Sequence, residues 1–168
     1  MNNSPYPTTW LFGLDERTTH MSLVPISPTQ PPIPATPTTI QDVLSTFTRS
    51  QTTPSDVVGI LDVSDYLMET SVIHYEFAAL AVEKGLQALE LMLRLKVDPA
   101  SKAGMTGLID SLQERSPLKP ELDEFLRDMV HPRNNWIGHP RNAAAYPMVS
   151  AVGYLRLIHA AITELAEL

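Results

Sequence analysis

The chain has 168 residues, a formal net charge of −7, 15 Pro, 7 Gly and no Cys. That length fits one domain. The missing cysteines exclude disulfide frameworks, Cys-ligated zinc, iron–sulfur clusters and thiol nucleophiles, and they fit a reducing, cytoplasmic location. The longest apolar stretch is interrupted by Glu and Lys, so no membrane contact by a spanning helix is expected. The N-terminus lacks a basic region followed by an apolar one, so no secretory signal is expected. The acidic balance argues against a broad electrostatic surface for nucleic acid, but leaves room for one small cationic site.

The prolines divide the chain. Nine of them fall in the first 54 residues, together with 12 Thr and 5 Ser, so almost half of that segment is Pro, Thr or Ser. Its centre, Pro25 to Pro37, reads PISPTQPPIPATP. Such a stretch favours polyproline II and withholds backbone donors from helix and sheet. Residues 1–54 therefore read as an extended or disordered leader. Exposed Trp10, Leu11 and Phe12, or the proline run itself, would be the anchors of a partner-binding arm. One short helix over 39–48 fits the leader's end, with Thr39 as N-cap and Ile40, Val43, Leu44 and Phe47 on one face.

Residues 55–168 read as a helical domain, large enough for a core without metals or disulfides. Ser64 to Thr70 suggests a short turn of helix. Val72 to Val97 is the clearest helix: Glu76, Glu83, Gln87, Glu90 and Arg94 form one solvated stripe at helical spacing. The rest of that helix is so apolar that it must touch neighbours on several sides. Ser101 to Arg115 is a shorter helix, weakened by Gly104 and Gly107. Pro120 suits the first position of the next one, and Glu121, Asp123 and Glu124 complement its dipole. Pro132 should kink or end that helix near Asp128 to His131. A last helix runs from about Tyr146-Pro147 to the C-terminus. No segment sustains a two-residue alternation, so a sheet is not expected. The expected fold is all-α, an antiparallel bundle of about four helices.

The chemically unusual segment is His131 to Asn142, HPRNNWIGHPRN. It concentrates two His and two Arg in an acidic chain. A bland reading has these cations balancing the acidic first turn of the same helix, or its negative C-terminus. A sharper reading notes that Arg133 and His139 are six apart, close to two helical turns or one turn plus a tight bend, so that both side chains could face one way. A guanidinium can hold two phosphate oxygens, and an imidazole can move a proton near neutral pH. Together they are a minimal set for metal-free RNA cleavage. His139 would handle the proton on the 2′-hydroxyl or the leaving 5′-oxygen, and Arg133 would stabilise charge building on the phosphorane. Asn134 would orient either group or the phosphate. One His cannot serve as acid and base in a single step unaided; a second copy of the chain would supply the other.

At these residues the chain resembles the HEPN superfamily, the higher eukaryote and prokaryote nucleotide-binding domains. Its signature is an Arg, then a polar residue, then a His after a total gap of four to six. Arg133, Asn134 and His139 match it with a gap of five. The order of elements matches too: a long first helix, a weaker second, the motif near the end of the third, and a last long helix. The resemblance covers about residues 60–168. It implies a helical bundle acting as a homodimer, with two motifs facing each other across a cleft. It implies metal-independent endoribonuclease activity without a cofactor, of the kind found in toxins and phage-defence effectors, with an antitoxin or defence-system protein as a candidate partner. Arg133 and His139 would be catalytic and Asn134 supporting. Some members carry a Tyr two positions after the signature His, used in control by a nucleotidyltransferase partner; here that position is Arg141. Other members are inactive modules for dimerisation, nucleotide binding or assembly.

Around the motif, Arg141, Trp136, His131 and Asn135 are the candidate substrate contacts. Trp136 can pack under the bend or stack on a base. His74 and His159 lie within expected helices and read as ordinary histidines. Glu76, Glu83 and Glu90 share a face with no His, so they read as solvated rather than as a di-metal site. No phosphate-binding Gly loop, nucleophile elbow or HExxH motif occurs.

Overall fold

A computed structural model describes residues 22–23, 33–136 and 148–168, the side chains of residues 22–23, 135–136 and 148–149 excepted. Its elements are β1 (Ser22–Leu23), β2 (Ile33–Pro34), α1 (Pro37–Leu44), α2 (Ser55–Thr70), α3 (Glu76–Val97), α4 (Met105–Arg115), α5 (Pro120–Trp136) and α6 (Met148–Glu167). The protein is mostly helical, and β1 and β2 form one minimal antiparallel pair.

Helix α3 is the central element. It lies against α2, α6, α4 and α5, as a helix apolar on most sides must. Ala78, Ala81, Gly85 and Ala88 are buried among Val82, Leu86, Leu89, Met92 and Leu93. These small residues let neighbouring helices approach. Gly85 marks the tightest point: a Cβ there would lie 3.0 Å from Leu155 Cδ2 and 3.2 Å from Ile158 Cδ1, both on α6. Leu155 and Ile158 are both fully buried, so a larger side chain in place of Gly85 must push into packed core.

Helix α2 is longer than the short turn expected at 64–70. It starts at Ser55 and buries Val57, Leu61, Ser64 and Met68 at spacings of four, three and four, one continuous stripe facing α3. Ser64 is satisfied there, because its hydroxyl donates to the Ala81 carbonyl at 2.7 Å. Helix α3 itself starts at Glu76 rather than Val72; Val72 and Ile73 lie in the preceding turn, where Val72 is still buried. Helix α4 starts at Met105, after an N-cap at Gly104. The C-terminal helix α6 buries Ala151, Leu155, Ile158, Ile162 and Leu165 along one stripe.

Two glycines give opposite expectations. Gly59 sits inside α2, and a Cβ added there would meet nothing within 4 Å. Gly59→Ala gains helix propensity of about 1 kcal/mol and raises the melting temperature by about 2–4 °C. Gly85→Leu drives a side chain into α6 and lowers stability by about 1–3 kcal/mol. Thermal unfolding followed by circular dichroism checks both signs.

The leader's end docks on the bundle. Thr36, not Thr39, is the N-cap of α1: Thr36 Oγ1 accepts from the Thr39 backbone, and Thr39 Oγ1 accepts from the Thr36 backbone. This is a reciprocal capping box, followed by Pro37 in the first turn. Helix α1 packs on α2, with Ile40 fully buried and Phe47 nearly so just beyond the helix. Arg49 then forks across two α2 carboxylates, Asp62 at 2.5 Å and Asp65 at 2.6 Å. Burial disfavours its charge, but the hydrogen bonds to Asp62 and Asp65 outweigh that and hold the guanidinium above its ordinary value.

Candidate active site around Arg133

The site is built on α5. Its first turn carries Glu121 and Asp123, which complement the helix N-terminus. Arg127 holds α5 to α4, reaching Asp123 on its own helix at 3.0 Å and Asp110 on α4 at 2.9 Å. Those carboxylates, Asp123 first, raise its pKa further. The packed face of α5 runs Leu122, Leu126 and Met129, all buried. Continuing the same spacing by four residues reaches Arg133. A cation at the end of an apolar stripe needs an anion on the facing helix, and α3 supplies Glu90.

Glu90 grips two arginines. Its Oε2 accepts from Arg133 Nε at 2.6 Å, and its Oε1 accepts from Arg94 Nη2 at 2.9 Å. Only 16% of its side chain is exposed. This corrects the reading of Glu90 and Arg94 as members of a solvated stripe: with neighbours on several sides of α3, that face is partly covered. Arg94 is further committed to the carbonyls of Ser101 and Ala103 in the connection to α4. The three charges sum to a net positive trio in an acidic protein.

The geometry decides which part of Arg133 is occupied. Only its Nε is bonded to Glu90, and among the described residues its two Nη groups have no partner. Among the described residues, the outer edge of the guanidinium, the edge that meets two phosphate oxygens at once, is uncommitted. The side chain is 31% exposed, so solvent and solutes reach it.

Pro132 neither ends α5 nor stops it near Asp128 to His131. The helix continues four residues beyond it, to Trp136. A proline removes its own bond to the carbonyl four residues back, here that of Asp128, and leaves the following turns free to pair. Pro132 is buried and directly precedes Arg133 in the chain. His131 and Asn134 are both exposed. Asn135 and Trp136 belong to the last turn of α5, and their side chains are outside the described residues. His139 and Arg141 also lie outside the described residues. The structure thus brings Arg133 to Glu90 and Arg94, with Asn134 one residue further on the exposed side.

The other histidines behave differently from each other. His74 lies in the turn before α3, exposed, with Nδ1 2.6 Å from Glu76. His159 on α6 is fully buried and pairs through Nε2 with Asp65 at 3.0 Å. Asp65 is the carboxylate that Arg49 also holds, so a polar relay joins the leader's end, α2 and α6. That relay and the Glu90 clamp are not legible in the sequence alone. A signal for the clamp exists there: Arg133 falls on the packed face of its own helix. Among the described residues, no group of three His, Asp or Glu is placed to hold a metal ion, and no helix is long and apolar enough to cross a membrane.

No family model matches the chain, and no curated protein or solved structure matches it either.

Proposed function

We propose that this chain is a metal-independent endoribonuclease of HEPN type, a toxin or phage-defence effector that works as a homodimer. The observation that carries the reading is the state of Arg133. Within the sequence RNNWIGH, its guanidinium is fixed through Nε by Glu90, while both Nη groups remain open to a phosphate among the described residues. A fixed donor aimed at developing charge is what phosphoryl chemistry requires. In this reading His139 removes the proton from the 2′-hydroxyl. The 2′-oxygen then bonds to the adjacent phosphorus, the bond to the 5′-oxygen breaks, and that oxygen receives a proton from the second copy's imidazole. Arg133 holds the non-bridging oxygens, and Asn134 orients the phosphate. Arg141, Trp136, His131 and Asn135 contact neighbouring parts of the RNA strand.

RNA incubated with the purified chain in the presence of a chelator tests this. Wild type cleaves, and His139→Ala loses about 10²–10⁴-fold in rate, the range for a positioned acid–base group. Equal rates for both proteins would remove the assignment.

One observation favours a second reading. The Glu90–Arg133 pair spans α3 and α5, so the same contact would tie together a catalytically inactive helical module for dimerisation, nucleotide binding or partner assembly. Such a module leaves RNA intact, and Arg133→Ala alters only its stability or its binding.

A further inference from the structure

The buried relay around His159 contains a polar atom with no hydrogen-bond partner among the described residues. His159 is 1% exposed. Its Nε2 faces Asp65, and a carboxylate accepts, so Nε2 is the donor there. Its Nδ1 is buried and has no hydrogen-bond partner among the described residues. A buried ring nitrogen left unpaired carries its full desolvation cost, and native interiors nearly always pair such groups with protein or water.

The same imidazole lines a small cavity of about 10 Å³, bounded also by Thr48, Arg49, Thr53 and Thr163. That volume is about the minimum that holds one water. The lining mixes both characters: Val58, Leu61 and Ile162 close the space together with the threonines and His159. Thr53 has no hydrogen bond from its hydroxyl among the described residues. Thr163 Oγ1 donates to the Thr48 carbonyl at 3.0 Å, which leaves its lone pairs open. His159, Thr53 and Thr163 all line the space, and buried waters make two to four hydrogen bonds. The cavity is too small for a phosphate or a nucleotide. Its lining contains no carboxylate for a metal cation, and its one cation, Arg49, is already held by Asp62 and Asp65.

We propose that this cavity is a specific binding site for a single internal water, bonded to His159 Nδ1 and to the hydroxyls of Thr53 and Thr163. The water extends the relay Arg49–Asp65–His159 back to the segment that carries Thr48, Arg49 and Thr53. It closes a loop of hydrogen bonds that fastens the leader's end to α2 and α6. Both nitrogens of the imidazole are then satisfied, which fixes the ring with Nε2–H toward Asp65.

A high-resolution crystal structure of the full chain tests the site. The expected result is a single well-ordered peak about 2.7–3.2 Å from His159 Nδ1, within the same range of at least one Thr hydroxyl. An empty cavity, or a direct bond between the Thr53 hydroxyl and Nδ1, overturns the proposal. In solution, Thr53→Val keeps the shape and removes one partner. It should lower the melting temperature by about 2–4 °C and speed amide exchange over residues 48–53, while Thr53→Ser should restore both. A Thr53→Val protein as stable and as protected as wild type would count against the water.

Discussion

Arg133→Ala should lower the rate of RNA cleavage by about 10²–10³-fold, the loss seen when one preorganised donor to a developing oxyanion is removed. The fold should survive. Without the guanidinium, Glu90 still holds Arg94 at 2.9 Å, so no carboxylate is left alone in the α3–α5 contact. The expected loss of stability is about 1 kcal/mol, the scale of one hydrogen-bonded interaction. Arg133→Lys separates charge from geometry. An ammonium is a point donor that cannot meet Glu90 and two phosphate oxygens with one rigid fork. Its activity should fall between those of wild type and Arg133→Ala. Matched cleavage kinetics and denaturant unfolding on the three proteins check the pattern. If Arg133→Ala lost activity only in proportion to lost folding, the residue would be a tie between helices and nothing more.

Glu90→Ala should do the opposite: a larger stability loss, with activity lost as a consequence. It leaves two guanidinium groups, on side chains only 23% and 31% exposed, without the carboxylate they share. Removing one partner of a fully buried pair costs about 3–5 kcal/mol, and partial exposure reduces this to about 2–3 kcal/mol. That corresponds to a fall in melting temperature of about 4–12 °C for a protein of this size. Glu90→Gln is informative because the side chain keeps its shape but has a single oxygen. It can accept from one arginine, and its amide then presents a donor to the other. Its stability should lie between the other two. An unchanged unfolding midpoint in Glu90→Ala would show that the clamp contributes nothing. Cleavage by Glu90→Ala at wild-type rate would show that Arg133 does not need Glu90 to aim it.

The sequence carries the fold unevenly, for identifiable reasons. Helix α3 is legible because a long, uninterrupted 3.6-residue pattern outweighs single weak residues. Helix α2 is not. Asp56, Gly59, Asp62 and Asp65, with β-branched Val57, Val58 and Val63, depress its intrinsic propensity. It forms because Val57, Leu61 and Met68 are buried, and such packing supplies most helical stability in proteins. Pro132 does not end α5, since a proline costs one backbone bond and does not forbid the turns after it. The candidate site divides in the same way. Arg133 is visible as part of a local motif. Its partner Glu90 is 43 residues away in the chain and looks like any surface glutamate until α3 and α5 are packed. The burial of His159 against Asp65 is likewise a product of three segments meeting, 94 residues apart at the pair itself.

The central claim is that Arg133 and His139 direct a 2′-hydroxyl at its neighbouring phosphate without a metal. End-group analysis of RNA products made in excess chelator tests it most directly. Attack by the 2′-oxygen leaves a 2′,3′-cyclic phosphate on one fragment and a 5′-hydroxyl on the other, and both ends should disappear with Arg133→Ala. Intact RNA, or fragments bearing 5′-phosphate ends that form only when divalent metal is supplied, would contradict the claim.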